Sequence, residues 1–92
     1  MSAYADVDVT NTATLIIAKS DSRQQVEIVN TSSSVTVYLG MDSSVASTTG
    51  LPLYPNQGRS FTKLLTLWAG DIYGITASGT ADCRYWEVTD KR

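Results

Sequence analysis

Short runs in which apolar and polar residues alternate extend along almost the whole chain. Val7 and Val9 alternate with acidic residues, and Val26 and Ile28 alternate with polar ones. A period of two places successive side chains on opposite faces of a β-strand. Val, Ile and Thr supply 25 of the 92 residues, and β-branched side chains favour strands over helices. The pattern therefore predicts strands throughout the chain.

Clusters of Ser, Thr, Asn, Gly and Pro separate these runs. The predicted strands cover residues 6–10, 14–18, 25–30, 35–39, 51–55, 59–67, 72–77 and 81–88, with turns at 31–34, 56–58, 69–71 and 78–80. Strands 25–30 and 35–39 are predicted to form a hairpin closed by Gly40, and the turn at 78–80 is predicted to lead into the last strand. Seven to eight short strands indicate an all-β fold, a small antiparallel β-sandwich or jelly roll, with a compact barrel as the alternative.

The length of the chain predicts a single domain. We expect an N-terminal arm or first strand over residues 1–12, a β-sandwich over 13–88 and a polar tail over 89–92. The first ten residues lack the basic start and apolar run of a secretory signal, and no apolar run is long enough for a membrane helix. We expect a protein made in the cytoplasm, with no membrane partner.

The charge of the chain argues against nucleic acid as a partner. Its formal net charge is −2, and the seven Lys and Arg residues are dispersed, whereas nucleic-acid binders usually carry a basic face. With one cysteine and no histidine, the chain can form neither an internal disulfide bond nor the usual sets of zinc ligands. Small domains without these devices often gain stability from partner subunits, so we expect a homo-oligomer.

The residues that would carry catalysis are missing or dispersed. Without histidine the commonest general base is absent, and lone carboxylates at turns or on alternating strands are typical of solvated positions. These carboxylates are Asp6, Asp8, Asp21, Asp42, Asp71, Asp82, Asp90, Glu27 and Glu87. Cys83 alternates with Ala81 and Tyr85 and is predicted to be a buried core residue. We expect no enzyme activity, no metal site and no cofactor.

The aromatic residues divide between two predicted environments. Alternation places Phe61, Tyr73 and Tyr85 in the core. Tyr38 and Trp86 fall on the opposite faces of their strands, which are exposed in a two-layer sandwich. Large aromatics in such positions are typical of interface anchors, although a loop of the same domain could also cover them.

Eight short segments, taken together in their order along the chain, resemble a module of tailed-bacteriophage virion proteins. The segments are VEIVNT at 26–31, VTVYLG at 35–40, SV at 44–45, GLPL at 50–53, PNQG at 55–58, GDIYGI at 70–75, ASGTA at 77–81 and EV at 87–88. Their order and spacing carry the likeness, which runs from about residue 23 to residue 88.

The resemblance implies a small β-sandwich on the outer surface of a virion, often trimeric. Since few residues precede or follow the module, the likeness favours a capsid decoration protein that binds the major capsid protein or another virion protein. A neck, tail or baseplate component is the second hypothesis. The third is a carbohydrate-binding module, in which an exposed Trp68 or Trp86 stacks on a sugar. The candidate interface residues are Tyr4, Val7, Val9, Tyr38, Met41, Asp42, Tyr54, Trp68 and Trp86.

Overall fold

Eight β-strands form the fold in a computed structural model, which describes residues 2–20, 23–62 and 70–89. The strands are β1 (Ser2–Val9), β2 (Thr14–Ile17), β3 (Arg23–Asn30), β4 (Val37–Gly40), β5 (Leu51–Leu53), β6 (Gly58–Thr62), β7 (Ile72–Thr76) and β8 (Ala81–Thr89). The described residues contain no helix, and so none that could cross a membrane. The predicted all-β class is confirmed.

The strands make two four-stranded antiparallel sheets that pack together as a β-sandwich. The first sheet has the order β1-β8-β3-β6 and the second has the order β2-β7-β4-β5. Of the eight described strands, only β4 and β5 are consecutive in the chain and paired with each other. The two members of every other consecutive pair of described strands lie in different sheets.

The predicted hairpin of strands 25–30 and 35–39 is therefore wrong. Strand β3 pairs with β6 and β8, whereas β4 pairs with β5 and β7. The turn at 78–80 likewise leads from β7 in the second sheet to β8 in the first. Alternation specifies which face of a strand is buried but not which strand lies beside it. The short polar turns at 31–34, 56–58 and 78–80 each connect a strand of one sheet to a strand of the other, instead of joining neighbours within one sheet.

The core lies between the two sheets. Its buried apolar residues are Val9, Ile16, Ile17, Val26, Ile28, Val37, Leu39, Leu53, Ile72, Ala81 and Cys83. Cys83 is completely buried, as its alternation predicts. Tyr85 is only partly buried but packs against this cluster.

Two expectations about the core are corrected. Tyr73 does not belong to it, because the buried positions of β7 are Ile72, Gly74 and Thr76, and Tyr73 is half-buried between them. Glu87 is not solvated, because it is only 8% exposed and pairs with the buried Arg23. Phe61 lies in β6, but its side chain is outside the described part of the structure.

Candidate binding surfaces

The outer face of the second sheet is apolar. Tyr73 lies opposite Leu15 of β2, and in the next row Tyr38 lies between Ile75 and Pro52. Leu15 is 43% exposed and the other four side chains are partly exposed. These five residues, which we call the apolar face, form two adjacent rows across four strands. A contiguous apolar surface of this kind often marks an interaction site.

The loop between β4 and β5 folds back over one end of this face. A Cβ atom added to Gly40 would lie 2.5 Å from Cβ of Val45, and one added to Gly50 would lie 2.7 Å from Cβ of Tyr38. The two glycines therefore let Val45 approach the backbone and bring the loop against Tyr38. Tyr38 is thus half-buried at least in part because its own domain covers it.

The loop begins with a turn organised by Asp42. Oδ1 of Asp42 accepts hydrogen bonds from the hydroxyl group and the backbone N–H of Ser44. These two bonds, the side-chain bond first, lower the pKa of Asp42 from its usual value. The neighbouring Met41 is 65% exposed, so the loop presents an apolar side chain beside an ordered carboxylate.

A groove opens at the end of the sandwich next to this loop. It has a volume of about 400 Å³, and its apolar lining includes Leu39, Met41, Val45, Leu51 and Ile72. Leu39 and Ile72 are core residues, whereas Met41 and Leu51 are more than half exposed. The groove therefore extends the apolar surface from the outside of the second sheet to the edge of the core.

The outer face of the first sheet carries a pair of exposed aromatic side chains. Tyr4 of β1 lies directly opposite Trp86 of β8, and Trp86 lies opposite Glu27 of β3. Tyr4 is 85% exposed and Trp86 is 53% exposed. The indole Nε1 of Trp86 donates a hydrogen bond of 3.0 Å to Oε1 of Glu27. We call Tyr4, Trp86 and Glu27 the aromatic row.

Charged residues lie on one side of the aromatic row. In the next row Asp6 lies opposite Arg84, and beyond it Asp8 lies opposite Asp82. The guanidinium group of Arg84 lies 3.3 Å from Oδ2 of Asp82, and its side chain is 67% exposed. The two sheets thus differ, because the first presents aromatics among charges and the second presents a mainly apolar surface.

The structure places the predicted interface residues in several environments. Tyr4, Met41, Tyr54 and Trp86 are exposed large side chains, with Tyr4 and Trp86 adjacent on the first sheet. Val9 is completely buried and Val7 packs against the core, so both valines belong to the interior of the chain.

Trp68 lies outside the described residues. The exposed candidates fall into two groups, because Tyr4 and Trp86 lie on the first sheet, whereas Met41 and Tyr54 directly follow β4 and β5 of the second.

Sequence reasoning did not identify several residues of these surfaces. Leu15 and Leu51 lie in runs that are apolar on both faces, so alternation alone could not show which leucine is exposed. Glu27 and Arg84 looked like ordinary solvated charges. Their significance comes from pairing across strands, which is information that the sequence does not contain.

The described residues offer no sign of a metal centre or a reactive thiol. Among them, no group of three or more Cys, Asp and Glu side chains converges to hold a metal ion. Burial, with a smaller contribution from the charge of Asp82, raises the pKa of Cys83 to about 11. The Cys83 side chain is therefore a protonated thiol at neutral pH and a poor nucleophile.

Comparison with known proteins gives no assignment of family. A search of the chain against protein-family models finds no match, and neither does a search against curated proteins.

Proposed function

We propose that this chain is a structural protein of a bacteriophage virion, a capsid decoration protein that binds the outer surface of the head as a symmetric oligomer. The observation that carries the proposal is the apolar surface of the second sheet. Among the described residues, four of the six exposed large hydrophobic side chains belong to this sheet or its adjoining segments, namely Leu15, Met41, Leu51 and Tyr54.

This surface has the composition of a protein–protein contact. The apolar face contains Tyr38, Tyr73 and Ile75 but no charged side chain, and interface cores are enriched in aromatic residues and depleted in charged ones. A small acidic domain with such a surface is stabilised by association, because binding removes apolar area from water. Closed symmetry limits that association to a defined oligomer, and the resemblance to virion modules favours a trimer.

The same surface would also serve a neck, tail or baseplate protein, which differs from a decoration protein in location. Carbohydrate binding depends instead on the first sheet and does not compete for this surface. Locating the chain on a particle is therefore the decisive experiment.

Immunogold labelling would make this test, with an antibody raised against the purified chain and particles of the phage that encodes it. We expect gold on the head. Gold confined to the neck, tail or baseplate would favour the second hypothesis. Particles that carry no label, and no peptide of the chain by mass spectrometry, would refute a virion role.

Light scattering would test the apolar surface itself. We expect purified protein to form a stable oligomer, with the mass of three chains, over a range of concentrations. Leu15→Ser and Met41→Ser should lower the mass or weaken attachment to particles, because both place a polar group in the proposed contact. Trp86→Ser is the matched control on the first sheet and should change neither.

A further inference from the structure

We propose that the outer face of the first sheet is a binding site for uncharged carbohydrate, in which Tyr4 and Trp86 stack on sugar rings and Glu27 and Arg84 bond their hydroxyl groups. This inference is independent of the proposed function, because it concerns the opposite sheet.

The two aromatic residues are adjacent and held by the sheet. Residues directly opposite each other in an antiparallel pair have Cβ atoms about 5 Å apart, and Tyr4 lies opposite Trp86. Strand β8 is hydrogen-bonded on both sides, to β1 and to β3. The pair therefore offers a platform of two rings on a backbone that has no need to rearrange when a ligand binds.

The hydrogen bond of Trp86 restricts how its ring can interact with a ligand. Indole has a single polar group, its N–H donor, and Glu27 accepts it. The bond holds the indole against β3, so a ligand meets the apolar surface of the ring and not its polar edge. The C–H face of a pyranose ring is apolar and packs well on such a surface.

Polar groups lie next to the aromatic surface where sugar hydroxyl groups would lie. A shallow groove of about 460 Å³ is lined by Tyr4, Glu27, Val29, Arg84, Tyr85 and Trp86. Glu27 offers carboxylate acceptors, and Arg84 has five N–H donors on a largely exposed side chain. Apolar walls with a few convergent polar groups are characteristic of small-molecule sites.

The charged residues beside the groove favour uncharged ligands over anionic ones. Asp6, Asp8, Asp82 and Glu27 outnumber Arg84 on this face, so they repel phosphates and sugar carboxylates. Nucleic acid and acidic glycans are disfavoured on this ground, whereas a neutral saccharide meets no repulsion.

The test begins with an array of neutral and acidic glycans, followed by NMR titration of ¹⁵N-labelled protein with the best neutral oligosaccharide. We expect shifts of the Trp86 Nε1–H signal and of backbone amides in β1, β8 and β3. Tyr4→Ala and Trp86→Ala should each weaken binding at least tenfold. Tyr54→Ala removes an exposed tyrosine from the segment that follows β5 and should leave binding of the neutral oligosaccharide unchanged.

Three results would overturn the proposal. The first is that no neutral glycan binds on the array, and the second is that acidic glycans bind better. The third is that Trp86→Ala lowers the solution mass, which would make the aromatic row a subunit contact. Because exposed side chains are changed, the variants should unfold at the same urea concentration as the wild type, so a loss of binding reports the site and not the fold. Immunogold labelling of particles is unaffected by any of these outcomes.

Discussion

Nε of Arg23 lies 2.7 Å from Oε2 of Glu87, and both side chains are buried in the sandwich. Arg23 begins β3 and Glu87 lies near the end of β8. The same guanidinium group donates to the carbonyl oxygens of Ala18 and Gly70. One buried cation thus joins the first sheet to segments adjoining β2 and β7 of the second.

Breaking this ion pair should destabilise the protein strongly. Arg23→Met leaves the Glu87 carboxylate without its cation, and we expect a loss of roughly 3–5 kcal/mol in the free energy of unfolding. Glu87→Gln should lower the free energy of unfolding by less than Arg23→Met does, because glutamine keeps an oxygen atom that accepts the hydrogen bond from Nε of Arg23. Urea unfolding followed by tryptophan fluorescence would measure both.

The exposed pair of Arg84 and Asp82 supplies the control for that experiment. Arg84→Met removes an arginine from a solvated ion pair, and we expect a change within about 1 kcal/mol. The double variant Arg23→Met/Glu87→Met should regain part of the loss, because no charge is left buried. If Arg23→Met and Arg84→Met lowered the free energy of unfolding equally, the buried ion pair would not have the stabilising role proposed for it.

A second buried polar residue, Asn30, joins the sheets near the turns that separate them. Its Nδ2 donates to the carbonyl oxygens of Val35 and Leu53, at 2.7 and 3.0 Å, and its Oδ1 accepts from the backbone N–H of Ser32. Asn30→Asp keeps the shape but replaces Nδ2, with its two donor hydrogens, by a carboxylate oxygen that faces the two carbonyl oxygens. We expect the free energy of unfolding to fall by about 3 kcal/mol at neutral pH.

Lowering the pH should recover part of the stability lost in Asn30→Asp, because a protonated carboxyl group can donate once more. Asn56→Asp is the control, since Asn56 is exposed and its φ of 62° is one that Asp also tolerates. Urea midpoints at pH 4 and pH 7 would make the comparison. If Asn30→Asp matched the wild type at neutral pH, the donor role of Asn30 would be wrong.

The sequence predicted the strands and their buried faces better than the arrangement of the strands. Alternation suffices for Val26, Ile28 and Val37 because each has at least one polar neighbour, which marks the other face of the strand. It failed for Tyr73, since an aromatic residue between Ile72 and Gly74 looks like a better core residue than the glycine does. The core accepts glycine there because a Cβ atom on Gly74 would lie 2.7 Å from Cδ1 of Ile16.

The candidate surfaces were only partly predictable for a related reason. Trp86 could be placed outside the core from the alternation of β8 alone. Its neighbours Tyr4 and Glu27 are 82 and 59 positions away in the chain, and only the register of β1, β8 and β3 brings them together. The ion pair of Arg23 with Glu87 was missed because a charged residue on the buried face looks solvated until its partner is known.

The turn at Asp42 should respond to the loss of one hydroxyl group. Hydrogen bonds from the side chain and backbone of Ser44 lower the pKa of Asp42. Ser44→Ala removes the larger contribution and should move that pKa upward, toward its ordinary value. Carboxyl ¹³C NMR titration would measure the change, with Ser43→Ala as the control that leaves it unmoved.

The same hydrogen bonds set the pH dependence of the turn. Because the pKa of Asp42 is lowered in the folded chain, its stabilising effect is present above the ordinary pKa and is lost as pH falls through the lowered value. Amide signals of residues 42–45 should therefore shift together at low pH in the wild type, and at a higher pH in Ser44→Ala. Identical titration of the two proteins would exclude this account of the loop.

Cys83 should make the fold sensitive to alkaline pH. Burial raises its pKa from about 9.0 to about 11 in the folded chain, whereas the thiol of the unfolded chain titrates near its ordinary value. A raised pKa stabilises the fold below the ordinary value, and that contribution is lost as pH rises from 9 to 11. The loss approaches about 1.4 kcal/mol for each pH unit in this window.

Cys83→Ala separates this effect from every other effect of alkaline pH, because those effects occur in both proteins. At pH 7 the variant should be less stable by about 1 kcal/mol, because a buried group is lost. Above pH 9 the difference in the free energy of unfolding between the wild type and the variant should shrink, and by pH 11 the variant should be the more stable protein. Urea unfolding at pH 7, 9, 10 and 11 in the presence of a reductant would measure it. A difference that stays constant across this range would show that the thiol ionises as readily in the folded chain as in the unfolded one.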